Sequence, residues 1–86
     1  MTPSFARQVA QGIAMHGLPA ESKGDTISVT AYAGRMPVNF SVYERDNKVV
    51  IHSRTEINVL IPVSDSVQTL VDAVVDRLNW SSPTPF

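Results

Sequence analysis

Val38-Asn39-Phe40-Ser41-Val42-Tyr43-Glu44-Arg45-Asp46-Asn47-Lys48-Val49-Val50-Ile51-His52-Ser53-Arg54 is the stretch on which the fold turns. Val38, Phe40 and Val42 alternate with Asn39, Ser41 and Tyr43, the period of a half-buried strand. Asp46-Asn47 predicts a two-residue turn, because Asp and Asn tolerate positive φ better than most residues. Folding the chain about that turn sets Tyr43 opposite Val50, Ser41 opposite His52 and Asn39 opposite Arg54. On the other face Val42 meets Ile51 and Phe40 meets Ser53. One set is mostly polar and the other mostly apolar. A one-residue slip would scramble them, which pins the register.

Upstream the same period continues. Ile27, Val29, Ala31 and Ala33 alternate with Thr26, Ser28, Thr30 and Tyr32, a second half-buried strand. Gly34-Arg35-Met36-Pro37 reads as the turn between them, and Ala20 to Gly24 as a polar loop. Before that loop the period changes to a helical one. Phe5, Val9, Ile13 and His16 recur along one face with Ala6, Ala10 and Ala14 beside them, and Met15 is placed next to the core. Thr2 can cap this helix and Pro3 suits its first position. Gly17 and Pro19 end it.

Downstream, Ser53, Thr55, Ile57, Val59 and Ile61 keep one parity. A tight turn at Thr55-Glu56 would set Val59 opposite His52 and mix the faces. The reading is therefore one long, bent strand over 48–61, with a separate strand over 57–61, reached through a wider turn, as the alternative. Pro62 ends the ladder. Val67, Leu70, Val71, Val74, Val75 and Leu78 then form one apolar stripe at helical spacing. Ser64 or Asp65 is the expected cap, with Asp65 and Gln68 resembling a capping box. The last residues, with Pro83 and Pro85, read as a fraying tail, though Trp80 has the size to fold back on the core.

These elements predict an α+β fold: a two-layer α-β-β-β-α domain over residues 1–80 and a flexible tail over 81–86. Both helices lie on one face of an antiparallel sheet and the other face is open. The order resembles that of the double-stranded-RNA-binding domain. That family opens its second helix with a basic cluster that grips phosphates. Here the position reads Ser64-Asp65-Ser66-Val67-Gln68-Thr69, with no Lys or Arg. The resemblance therefore implies a shape and argues against RNA binding.

Composition excludes more than it selects. The 86 residues lack cysteine, so there is no disulfide framework, thiolate metal site or Cys nucleophile. A net charge of −1 is wrong for a strongly basic nucleic-acid coat or a polybasic membrane binder. That sum conceals a split. Residues 35–54 carry Arg35, Arg45, Lys48 and Arg54 against Glu44 and Asp46, whereas residues 55–86 carry Arg77 against Glu56, Asp65, Asp72 and Asp76. No stretch is long and apolar enough to span a bilayer, and no basic segment precedes an apolar run in Met1 to Gln8, so a cytoplasmic location is expected.

No catalytic signature stands out. There is no Gly-x-Ser-x-Gly elbow, Walker loop or Gly-x-Gly-x-x-Gly. His16 and His52 match no metal-ligand spacing, and Glu44, Asp46 and Glu56 read as exposed. The chain is expected to be no enzyme and to hold no cofactor and no metal. The informative surface is the open face, where Tyr32, Tyr43, Arg45, His52 and Arg54 are the candidate partner-binding residues. Tyr and Arg are enriched at interface hot spots. Met36, in the first turn, is a further candidate contact. The expected function is a small binding or inhibitor protein that acts through a protein partner, in the manner of phage or mobile-element anti-defence proteins such as anti-CRISPRs. A weak nucleic-acid binder using the basic, tyrosine-bearing face is the alternative. Both a monomer and a homodimer fit a chain this small.

Overall fold

Asp46 and Asn47 both adopt positive φ, 52° and 61°, the pair of left-handed residues that a type I′ turn requires. In the computed structural model, which describes residues 1–33, 35–53 and 58–81, that turn joins two antiparallel strands in the expected register. Tyr43 pairs with Val50, Ser41 with His52, Val42 with Ile51 and Phe40 with Ser53. Arg54, and with it the expected Asn39–Arg54 pair, lies outside the described residues.

The element order is α1 (Pro3–Met15), β1 (Ala20–Lys23), β2 (Thr26–Ala33), β3 (Met36–Arg45), β4 (Lys48–Ser53), β5 (Asn58–Pro62) and α2 (Val67–Ser81). The fold is α+β, with two helices and a five-stranded antiparallel meander in the order β1-β2-β3-β4-β5. Two expectations are corrected. The segment read as a polar loop, Ala20 to Gly24, is the edge strand β1, folded onto β2 through Gly24-Asp25. Gly24 sits at φ 61°, as a type II′ turn needs at its first central position. The stretch read as one bent strand over 48–61 is a hairpin, β4 and β5. Ile51 pairs with Val59 and Val49 with Ile61, so the connection preserves parity, which the two-residue turn would have destroyed. With these extra strands, the likeness to the RNA-binding order lapses.

Parity then carries across the whole sheet. Ile27, Val29 and Ala31 stand beside Val42, Phe40 and Val38, and the next strands add Ile51, Val49, Val59 and Ile61 on the same side. The buried ones among them form one cluster with Ala6, Val9, Ala10 and Ile13 of α1 and Leu70, Val71, Val74 and Leu78 of α2. Both helices therefore cover one face. Ser53 is the buried polar residue of that core. Glu44 has the same parity but lies at the sheet's end, where its Oε1 is 2.8 Å from the Met1 ammonium.

Thr2 caps α1 as expected, its Oγ1 accepting from the Phe5 N–H at 3.2 Å, and Gly17 follows the helix at φ 91°. The cap of α2 is neither Ser64 nor Asp65. Ser66 Oγ accepts from the Thr69 N–H at 3.2 Å, Ser64 Oγ accepts from the Ser66 N–H, and Gln68 Nε2 donates to Asp72 Oδ1 at 2.8 Å instead of closing a capping box. The helix continues through Ser81. The expected tail beyond it, and the packing of the Trp80 side chain, lie outside the description. Met15, expected beside the core, is 88% exposed at the end of α1. No helix among the described residues is long and apolar enough to cross a membrane.

Candidate functional site

The face without helices carries the alternate residues of every strand. Ser28 pairs with Ser41 and Ser41 with His52 in one row. Tyr43, Val50 and Leu60 form the next, and Arg45, Lys48 and Pro62 the last. Strand pleating puts all of these on one side. Farther along, Ser28 Oγ donates to Asn39 Oδ1 at 2.9 Å, so two polar side chains satisfy one another.

The middle row is the unusual one. Val50 is only 7% exposed although no helix covers this side, while its neighbour Leu60 is 61% exposed. An open depression of about 500 Å³ is centred here. Tyr43, Val50 and Leu60 line it with Arg45, Asp46, Lys48 and His52. Arg45 and Asp46 approach at 3.9 Å with side chains 74% and 91% exposed, a surface pair of little energetic consequence. What remains is an apolar centre bordered by cationic side chains at the β3–β4 turn and by an imidazole on the other side.

Of the five residues expected to bind a partner, the fold brings Tyr43, Arg45 and His52 together. It does not bring Tyr32 to them. Tyr32 pairs with Pro37, six residues from Tyr43 along β3, or about 20 Å at the rise of an extended strand. Tyr32 is half exposed on a separate part of the face. Arg54 lies outside the described residues. A second depression, of about 570 Å³, is lined by Met36, Pro37, Asn39, Ser41 and His52. Met36 begins β3 rather than sitting in the turn, and is 71% exposed.

Sequence reasoning overlooked Leu60. Its signal was a large aliphatic residue of the wrong parity, between Val59 and Ile61, on the side reserved for polar residues. Lys48 was not among the expected site residues; its pairing with Arg45 puts two cations at one end. No family model, no curated protein and no solved structure matches this chain.

Proposed function

We propose that this chain is a non-enzymatic protein-binding module, and that the Tyr43–Val50–Leu60 row with Arg45, Lys48 and His52 is its docking surface. The observation that supports this is the apolar centre on the helix-free face, at which Val50 is nearly buried and Leu60 is not. An apolar core within a polar, charged rim is the anatomy of protein–protein interfaces, and Tyr and Arg are the residues that most often dominate their energetics. The cationic end favours a partner surface with acidic groups beside an apolar knob. An inhibitor that works by occupying its partner's surface, as anti-defence antagonists do, asks for nothing more than such a patch.

Single-stranded nucleic acid is the weaker reading. Stacking platforms need aromatic rings close together beside a basic track. Here Tyr32 is about 20 Å along the sheet from Tyr43, and in the row between the cations and His52 Tyr43 stands with the aliphatic Val50 and Leu60 and no second ring.

The test is affinity capture from the source cells' lysate with the wild-type chain and with Tyr43→Ala and Arg45→Ala. The expected outcome is a protein retained by wild type and reduced at least about tenfold by each variant, the loss typical of a hot-spot truncation. Their melting temperatures should match that of wild type to within a few degrees. An identical retained set for all three chains rejects this surface. A single-strand gel shift at low salt, lost on adding salt, would favour the second reading instead.

A further inference from the structure

We propose that the chain self-associates through β5, two copies pairing antiparallel about a two-fold axis at Leu60. This inference rests on the backbone of the sheet edge, and it shares Leu60 with the docking surface proposed above.

The bonding pattern of the sheet follows from the two-residue turns at Gly24-Asp25 and Asp46-Asn47. In such hairpins the residues flanking the turn exchange both backbone hydrogen bonds, and every second pair beyond them does the same. For β1–β2 the bonded pairs are then Lys23–Thr26, Glu21–Ser28 and Pro19–Thr30. The last is observed, Thr30 N–H donating to the Pro19 carbonyl at 2.8 Å. Applied to the β3–β4 turn, the same alternation sends the N–H and C=O groups of Lys48, Val50 and His52 toward β3. Those of Val49 and Ile51 then point to β5, where they meet Ile61 and Val59. The remaining β5 groups, those of Asn58, Leu60 and Pro62, point away from the sheet.

This geometry explains why Pro62 is tolerated inside a strand. Its missing N–H is one that β4 never uses. It also defines, among the described residues, a free edge of an unusual kind. Edge strands are ordinarily protected by charge, by a bulge or by a covering element. At the opposite edge β1 carries Glu21 and Lys23 and packs alongside α1. Strand β5, Asn58-Val59-Leu60-Ile61-Pro62, has no charged residue, and Leu60 is 61% exposed.

The strand is complementary to itself in one register. With Leu60 on the axis, each Leu60 N–H donates to the Leu60 carbonyl of the other copy. Each Asn58 N–H donates to the Pro62 carbonyl, which needs no return bond from proline. On the helix-free face the apolar row becomes Tyr43–Val50–Leu60–Leu60–Val50–Tyr43 across both copies. On the helix-bearing face Val59 stands opposite Ile61. Charge is compatible with this arrangement. The Arg45–Lys48 ends lie at opposite ends of the shared ladder, and each Pro62 end meets an uncharged Asn58. The contact is small compared with the about 1,200–2,000 Å² of a stable complex, so a weak dimer is expected, with Kd on the order of 0.1 mM.

Sedimentation velocity on the full chain from about 10 μM to 1 mM tests the inference over that range. The expected result is a monomer that shifts to dimer with concentration. Leu60→Pro removes an N–H that β4 does not use, and Leu60→Lys places like charges at the axis. Each is expected to weaken dimerisation at least about tenfold with an unchanged circular-dichroism spectrum. If the proline variant loses its fold, the lysine variant decides. The cysteine-free chain also permits a direct reporter. Paired Leu60→Cys residues would sit about 5.5 Å apart between Cα atoms, within disulfide range. They should cross-link at least about tenfold faster than Met36→Cys, which is similarly exposed. A wild-type monomer at about 1 mM, dimers unaffected by Leu60→Lys, or equal cross-linking rates would each overturn the proposal.

Discussion

Gly12 packs α1 closely against Val71 of α2. A Cβ placed on it would lie 2.6 Å from Val71 Cγ2, and Val71 is buried at 1% exposure. On an open helix face Gly→Ala stabilises by about 1 kcal/mol through helix propensity. Here the β-branched Val71 has little rotamer freedom with which to retreat, so the helices must separate. Gly12→Ala is expected to destabilise by about 1–3 kcal/mol, the range for overpacking, read from urea melts. In a Val71→Ala background the penalty should vanish and the helix-propensity gain should emerge. A penalty that is unchanged in that background would place the clash elsewhere. The same residue-scale reasoning accounts for Asp46 and Asn47. Neither is glycine, yet both tolerate the left-handed region that the tight turn imposes.

At the scale of elements, the start of α2 is held by a polar relay rather than a single cap. Ser64 Oγ accepts from the Ser66 N–H, and Ser66 Oγ from the Thr69 N–H. Ser66→Ala is expected to cost about 1 kcal/mol and Ser66→Asp to preserve stability, since Asp caps as well as Ser. Ser64→Ala, which touches no helical N–H, should cost less. Thermal melts giving Ser64→Ala the larger loss would move the cap back to where the sequence alone placed it. Three consecutive candidates, Ser64, Asp65 and Ser66, leave the choice to the path of the chain out of β5, which no local pattern encodes. The β3–β4 hairpin was legible because its turn and both strands lie within one short window and each face checks the other. Strand β1 was not. It has four residues, of which Ala20 and Ser22 face the core side, too little apolar contrast to distinguish an edge strand from a loop. The β4–β5 hairpin was half legible. Parity excluded the tight turn at Thr55-Glu56, but parity is also kept by any turn that shifts the pairing by one residue. In the candidate site the cost was Leu60, which becomes the neighbour of Val50 only once β5 folds back.

For the molecule as a whole, the alternation that fixes each hairpin predicts a hydrogen-exchange map. Strands β2, β3 and β4 have neighbours on both sides, so over the stretches paired on both sides, Ile27–Val29, Phe40–Val42 and Lys48–His52, their amides are bonded alternately left and right and should be protected. The two edge strands should show protection only at every second residue. In β5 the Val59 and Ile61 amides face β4 and the Leu60 amide faces outward. In β1 the Glu21 and Lys23 amides face β2, and those of Ala20 and Ser22 face outward. Dilute-solution exchange should therefore be at least about tenfold faster at Leu60 than at Val59 and Ile61, although all three belong to one strand, because an unbonded edge amide exchanges without any opening. Fast exchange at Val59 with slow exchange at Leu60 would mean that β5 has slipped by one residue, which would also turn Ile61 out of the core. Raising the protein concentration separates the two edges. Pairing about Leu60 would slow that amide and the Asn58 amide, while Ala20 and Ser22, beside charged neighbours on an edge that α1 accompanies, would exchange as before. The free edge thus reads out two levels at once, since the position of the fast amide reports the register of the fold and its concentration dependence reports the contact between copies.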